Sequence, residues 1–263
     1  MESYNRFVVL GDSQVEGMND YRPDGTLQGW ADRLAERLAE TTSPGLLNAN
    51  LAVRRVGAEH VRTVQLPRAL ELQPDLAAVC VGMNDLLRPG FDLATILGRI
   101  EATLTPLREQ GADLISMTAP DVTSMFPMLR HLGPRQRAFH AGLRELHGDL
   151  GVRTLELDHL PLGRAPELWD PDRLHGSPEG HRRIGEAMAQ LMGLPHDAGW
   201  ADVEVLERGR VRTGAGEAWW LASYLGPWLA GRLRARNAPP EVQPVCKRPD
   251  LERVADWSTF RVA

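Results

Sequence analysis

Apolar residues in this chain fall into two patterns that alternate along its length. Short, largely unbroken runs occur at Phe7–Leu10, Leu46–Val53, Leu76–Val81, Leu114–Thr118 and Val152–Leu157. An unbroken run buries both faces of a strand, so these predict parallel strands covered by helices on each side. Between the runs, apolar residues recur every three or four positions: Trp30, Leu34 and Leu38; Leu93, Ile96, Ile100 and Leu104; Phe139, Leu143 and Leu146. That is the spacing of a helix with one buried stripe. The alternation predicts an α/β domain, a doubly wound parallel sheet of about five strands.

A last helix is expected through Ile184, Met188 and Leu191, opened by Ser177 as N-cap with Pro178 at the first helical position. It would close the core, so the pattern places the domain at residues 1–194. Residues 195–263 read as a C-terminal helical extension with a proline-rich tail. Trp219, Trp220, Leu221, Tyr224, Leu225, Trp228, Leu229 and Leu233 make an aromatic stretch broken by Gly226-Pro227, and Pro239, Pro240, Pro244 and Pro249 follow. The stretch is too interrupted to span a bilayer, which takes roughly 20 apolar residues. Three roles stay open for it: packing back onto the domain, a subunit contact making a homo-oligomer, and an interfacial membrane helix ending in Arg232, Arg234 and Arg236.

Composition narrows the partners. A net charge of -5 gives no basic footprint for nucleic acid and no polybasic bias toward anionic lipid, so a small-molecule partner, neutral or uncharged, fits better. The two cysteines, Cys80 and Cys246, form neither a CxxC pair nor a disulfide framework. With the first strand starting a few residues after Met1, no secretory leader is expected and the reading is cytoplasmic. No phosphate-binding glycine loop follows a strand, so nucleotide binding is not expected.

Ligands of doubly wound sheets bind beyond the carboxyl ends of the strands. Four segments fall there: Ser13 after the first strand, Arg54–Gly57 after the second, Gly82-Met83-Asn84-Asp85 after the third, and Asp172 with His175 after the fifth. A serine hydroxyl is a weak nucleophile until an imidazole takes its proton and a carboxylate fixes that imidazole's tautomer. Ser13, His175 and Asp172 supply those groups, and the three-residue spacing lets one loop carry acid and base together. Asn84 and the Ser13 backbone N–H are candidate oxyanion donors. Asp170, Asp172, His175 and His181 could also be read as metal ligands, although they lack the tight spacing of hydrolytic zinc sites. Met125, Phe126 and Met128 could line an acyl pocket, form a lid, or pack on their own domain.

Gly11-Asp12-Ser13, Gly82-x-Asn84-Asp85 and Asp172-x-x-His175 resemble, in order and separation, three blocks of the SGNH or GDSL-type serine esterases and lipases. The resemblance runs from about Phe7 to Leu194. Gly29-Trp30-Ala31-Asp32-Arg33-Leu34-Ala35 and Asn50-Leu51-Ala52-Val53-Arg54 resemble a bacterial branch of that family. It implies a flavodoxin-like sheet, ester or thioester hydrolysis through an acyl-serine, no cofactor, and a catalytic triad of Ser13, Asp172 and His175. It also implies an oxyanion hole from Asn84, the Ser13 amide and a glycine five residues after the asparagine that ends the second strand. Here that position is Arg55, with Gly57 two residues further on, so either residue could give the third donor. Arg54 or Arg55 could also pair with an acidic substrate. Gln14 stands where the family more often has an apolar residue. An acyltransferase or carbohydrate O-deacetylase with the same triad, and a non-catalytic binding module with Arg55 filling the oxyanion site, are the rival readings.

Overall fold

The computed structural model describes residues 2–120, 127–203, 216, 219, 221–226 and 245–258. Strands β1 (Arg6–Gly11), β2 (Leu47–Asn50), β3 (Leu76–Cys80), β4 (Asp113–Met117) and β5 (Arg153–Leu155) fall within a residue or two of the apolar runs, except that the runs around β2 and β5 extend further. They pair in parallel. A sixth strand, β6 (Arg248–Arg253), adds antiparallel to β2, giving the order β5-β4-β3-β1-β2-β6. The sheet thus has one strand more than the sequence leads one to expect, and that strand comes from the segment read as a tail. It carries Pro249 and four charged residues among its six. Proline and charge are tolerated where one strand edge faces solvent, which is why the pattern resembles a tail.

The helices are α1 (Ser13–Glu16), α2 (Gly29–Thr41), α3 (Ala58–His60), α4 (Leu66–Leu72), α5 (Met83–Leu86), α6 (Leu93–Glu109), α7 (Gly133–Asp149), α8 (Pro178–Leu191) and α9 (Val254–Trp257). A π-helical segment, Val61–Gln65, joins α3 to α4. The Ser177 side chain caps α8 by accepting from Gly180 N–H, with Pro178 in the first turn, as its sequence predicts.

The unbroken strand runs follow from burial on both faces. Phe7, Val9, Leu76 and Ala78 pack with Trp30, Leu34, Ile184 and Met188 of α2 and α8. Val8, Leu10, Ala77 and Val79 pack on the opposite face with Leu66, Ile100, Leu104 and Phe139. At roughly 25 cal/mol per Å2 of apolar surface removed from water, these two layers are the main driving force for the fold. No described helix is long and apolar enough to cross a membrane. Trp220, Trp228, Leu229, Leu233, Arg232, Arg234, Arg236, Pro239, Pro240, Pro244, Met125 and Phe126 lie outside the described residues, as does the Met128 side chain.

Candidate active site

The chain reverses direction across the sheet between β1 and β3, which opens a crevice at their carboxyl ends. Gly11 ends β1 at φ 153°, and a Cβ there would stand 2.3 Å from the Cys80 carbonyl oxygen, so only glycine lets β1 pass β3 this closely. The Gln65 side-chain amide, arriving from the π-helical segment, accepts from Gly11 N–H at 2.8 Å and donates to its carbonyl at 2.9 Å. The Asp12 carboxylate then caps α1, accepting from Gln14 N–H, and Ser13 is the helix's first residue. As such its own N–H has no intrahelical acceptor.

The second half of the site is a loop after β5. Trp169 and Gly176 close it by an antiparallel bridge, and Asp170 N–H donates to the His175 carbonyl at 2.8 Å. Asp172 Oδ1 accepts from the backbone N–H groups of Leu174 and His175 at 2.8 and 3.0 Å. Its Oδ2 lies 2.6 Å from His175 Nδ1 and accepts from Asn19 Nδ2 at 3.2 Å. His175 Nε2 lies 2.8 Å from Ser13 Oγ. The structure therefore brings Ser13, His175 and Asp172 into one unbroken chain of hydrogen bonds. Burial pushes the Asp172 carboxyl upward, but the His175 contact and the two backbone donors outweigh it and hold the group below the ordinary carboxylate range.

Asn84 reaches the same crevice from α5, its Nδ2 donating to Asp12 Oδ2 at 3.1 Å. Gly82, at φ 118°, precedes it, and a Cβ there would meet the Phe139 ring at 2.3 Å. Burial raises Asp12 to about 6, against the opposing pull of Gln14 N–H, His175 and Asn84. A cleft of about 260 Å3 beside Ser13 is lined by Asn84, His175, Arg54, Arg55, Tyr224 and neighbouring residues. A smaller apolar recess of about 40 Å3 adjoins it at Asp12 and Gln14, walled by Val81, Met83, Met117, Pro120, Phe139 and Leu174.

The β2 loop separates the two candidates for the third donor. Asn50 ends β2, as the spacing argument requires, and Arg55 adopts the left-handed φ of 70° that a glycine would take freely. Arg55 lines the cleft. Gly57 is extended at φ -115°, and a Cβ there would stand 2.4 Å from Asp85 Oδ1. Its glycine identity thus makes room for Asp85, whose other oxygen accepts from Ala58 N–H at 2.8 Å.

Three contacts had no local signal in the sequence. Gln14 Nε2 donates to the Leu174 carbonyl, tying the serine turn to the residue before His175. Asn19 and Gln65 brace Asp172 and Gly11 from loops that carry no recognisable motif. His181, weighed above as a metal ligand, lies within α8 with Nε2 3.0 Å from the Met18 carbonyl and Nδ1 3.3 Å from Trp30 N, so both ring nitrogens serve the backbone. Among the described residues no group of three metal-binding side chains converges.

Burial lowers His181 and His147 to about 4 each. Both stay neutral in the folded chain while the unfolded chain takes up protons near pH 6.5. Each stabilises fully above that pH and loses its contribution as pH falls toward 4, by about 3 kcal/mol per group. Asp12 has the opposite sign: its raised folded value favours the folded state as pH drops from 6 to its ordinary range, which offsets one histidine. Urea unfolding is therefore expected to show a net loss of a few kcal/mol between pH 7 and pH 4, and His147→Gln should flatten the slope. A stability independent of pH across that interval would contradict the neutral-histidine assignment.

The GDSL-like lipase/acylhydrolase family model matches residues 9–183. No curated protein sequence matches the chain. In fold it is similar to a catalytic mutant of Axe2, an acetylxylan esterase from Geobacillus stearothermophilus: TM-score 0.62, 13% identity, covering 75% of this chain and 99% of that one. It is also similar to the psychrotrophic esterase EstA from Pseudoalteromonas sp., at TM-score 0.56 and 19% identity over 72% of this chain and 97% of that one. A third, LAE5, an alpha/beta hydrolase enzyme from the metagenome of Lake Arreo, Spain, gives 0.57 and 18% over 73% and 97%. With the matched segment running from within β1 into the first half of α8, the chain belongs to the GDSL-like lipase/acylhydrolase family, the serine ester hydrolases of SGNH type.

Proposed function

We propose that the protein hydrolyses carboxylic esters with small acyl groups through an acyl-serine intermediate. The observation that carries this reading is the continuous hydrogen-bonded line Asp172–His175–Ser13 opening onto a cleft. Asp172 accepts a hydrogen bond from Nδ1–H, which keeps the proton on that nitrogen and leaves Nε2 with a lone pair directed at the Ser13 hydroxyl. Nε2 takes the hydroxyl proton as Oγ bonds to the ester carbonyl carbon, and the carbonyl π electrons move onto oxygen. Asn84 Nδ2–H, Ser13 N–H and Arg55 N–H receive that oxyanion. The left-handed turn at Arg55, at the cleft rather than beneath it, supports Arg55 over Gly57 as the third donor. When the intermediate collapses, Nε2 returns its proton to the leaving alkoxide. Water then enters and gives a proton to Nε2 as its oxygen bonds to the acyl carbon, and Nε2 passes that proton to Ser13 Oγ as the acyl–Oγ bond breaks and the acid leaves.

Small acyl groups are favoured by the recess beside Asp12, about 40 Å3 and walled by apolar side chains, which holds a methyl or ethyl group rather than a long chain. The acetylxylan esterase among the fold neighbours is in keeping with that size. The open cleft beside the serine argues against a filled, non-catalytic site.

A fluorophosphonate reacts quickly only with an activated serine. It is expected to label Ser13 stoichiometrically and to stop hydrolysis of nitrophenyl acetate, whereas a chelator should leave hydrolysis unchanged. Rapid hydrolysis that survives complete labelling would remove the acyl-serine reading.

A further inference from the structure

Arg55 is the least explained side chain of the cleft. It is exposed, and it makes no hydrogen bond or ion pair among the described residues. It also holds φ at 70°, where a side chain costs about 1 kcal/mol that glycine would avoid. Its neighbour Arg54 is different. Nε and Nη2 of Arg54 grip Glu16 at 3.0, 3.0 and 2.7 Å, so that charge is already compensated. The two carboxylates lining the cleft are also engaged, Asp12 with Asn84 and Gln14, and Asp172 with His175. Among the described residues, the cation of the cleft without a carboxylate partner is therefore Arg55.

The sheet order says which part of a substrate meets it. Across the carboxyl edge the strands run β4, β3, β1, β2, about 4.8 Å apart. The apolar recess lies at the ends of β3 and β4, Ser13 follows β1, and Arg55 follows β2. An ester carbonyl held at Ser13 has two diverging arms. If the acyl arm fills the recess on the β3 and β4 side, the alcohol arm runs to the β2 side. Ser223 and Tyr224 line that same cleft and not the recess, adding a hydroxyl and an aromatic ring to a polar surface.

We infer that the β2 side of the cleft selects esters whose alcohol portion carries an anionic group, with the Arg55 guanidinium as its counter-ion. The inference rests on the ester-hydrolase reading above. Guanidinium presents paired N–H donors that match the oxygens of a carboxylate or a phosphate, and a hydrogen bond to a charged group is worth more than a neutral one. The strained backbone at Arg55 then serves two ends, aiming its N–H at the oxyanion and its side chain at the alcohol arm.

The test uses three phenyl acetates that differ only at the para position: a carboxylate, a phosphate monoester and a neutral carboxamide. Because the Arg55 N–H is part of the oxyanion site, absolute rates can move in every variant. The informative quantity is the anionic-to-neutral ratio of kcat/KM within each enzyme. Arg55→Gln is expected to lower that ratio about tenfold for at least one anion, with Arg55→Lys holding part of it. The larger drop identifies carboxylate or phosphate as the preferred group. In the wild-type protein the same ratio should fall as sodium chloride is raised, which reports the charge without any substitution. A ratio unchanged in Arg55→Gln, or insensitive to salt, overturns the inference while leaving ester hydrolysis standing. If the wild-type protein hydrolyses none of the three and takes no fluorophosphonate label, the ester-hydrolase reading itself fails and this inference falls with it.

Discussion

Ser13→Ala is expected to lower kcat on a short activated ester by about 10^4- to 10^6-fold, with His175→Ala close to it and the double variant no worse than either. The three groups act as a unit, so once the hydroxyl or the imidazole is gone the remaining partner has no proton to move. Ser13 Oγ is 2.8 Å from His175 Nε2 and, as the first residue of α1, carries no packing role for its hydroxyl, so the melting temperature should stay within a few degrees. Asp172→Asn tests the orienting part. An asparagine can turn its amide N–H toward Nδ1, which stabilises the tautomer with the proton on Nε2 and leaves nothing to accept the serine proton. About 10^3- to 10^4-fold is expected. Asn84→Ala should cost about 10^2- to 10^3-fold, the usual effect of removing one oxyanion donor. Steady-state kinetics on nitrophenyl acetate with these five variants decides the matter: a Ser13→Ala enzyme near the wild-type rate would end the acyl-serine mechanism.

What was legible in the sequence was whatever has a local signature. Burial on both faces writes itself into Phe7–Leu10 and Leu76–Val81, and one buried helix stripe into Trp30, Leu34 and Leu38. The site was legible for a related reason. Strand ends are read from those same runs, so Ser13, Asn84 and the Asp172/His175 loop could be placed on one edge before any contact was known. The misses are contacts between distant segments. Gln14 stood out only as a polar residue where the family more often has an apolar one, but its amide reaches Leu174 across 160 positions. Gln65 falls in a π-helical segment, Val61–Gln65, whose widened turn blurs the helical period. β6 was missed because only one of its residues, Arg248, is buried, and a buried arginine leaves no apolar trace.

That arginine belongs to the cluster that holds β6, and Asp32→Asn is expected to cost about 3 to 5 kcal/mol. Asp32 is fully buried on α2 and receives three cations: Lys247 Nζ at 2.8 Å, Arg22 Nη1 at 3.0 Å and Arg248 Nη1 at 3.3 Å. Burial alone would raise its carboxyl, yet Lys247, Arg248 and Arg22 together hold it below the ordinary range. Glu36 takes Arg22 Nη2 at 2.7 Å, and the indole of Trp257 lies 3.9 Å from the Arg248 guanidinium carbon and 4.9 Å from that of Arg22. Asparagine keeps the shape of Asp32 but leaves these buried cations short of one negative charge. At roughly 2 to 4 °C per kcal/mol for a chain of this size, the melting temperature should fall by about 10 °C. Lys247 and Arg248 precede and open β6, so the amides of that strand should lose hydrogen-exchange protection before those of β1 or β3. Coupling supplies the stricter check. In a Lys247→Met background one cation is already absent, so Asp32→Asn should cost less there than in the wild-type chain by about 1 to 3 kcal/mol. Equal costs in the two backgrounds would mean that Asp32 and Lys247 are not coupled and that this ion pair does not hold β6 on the sheet.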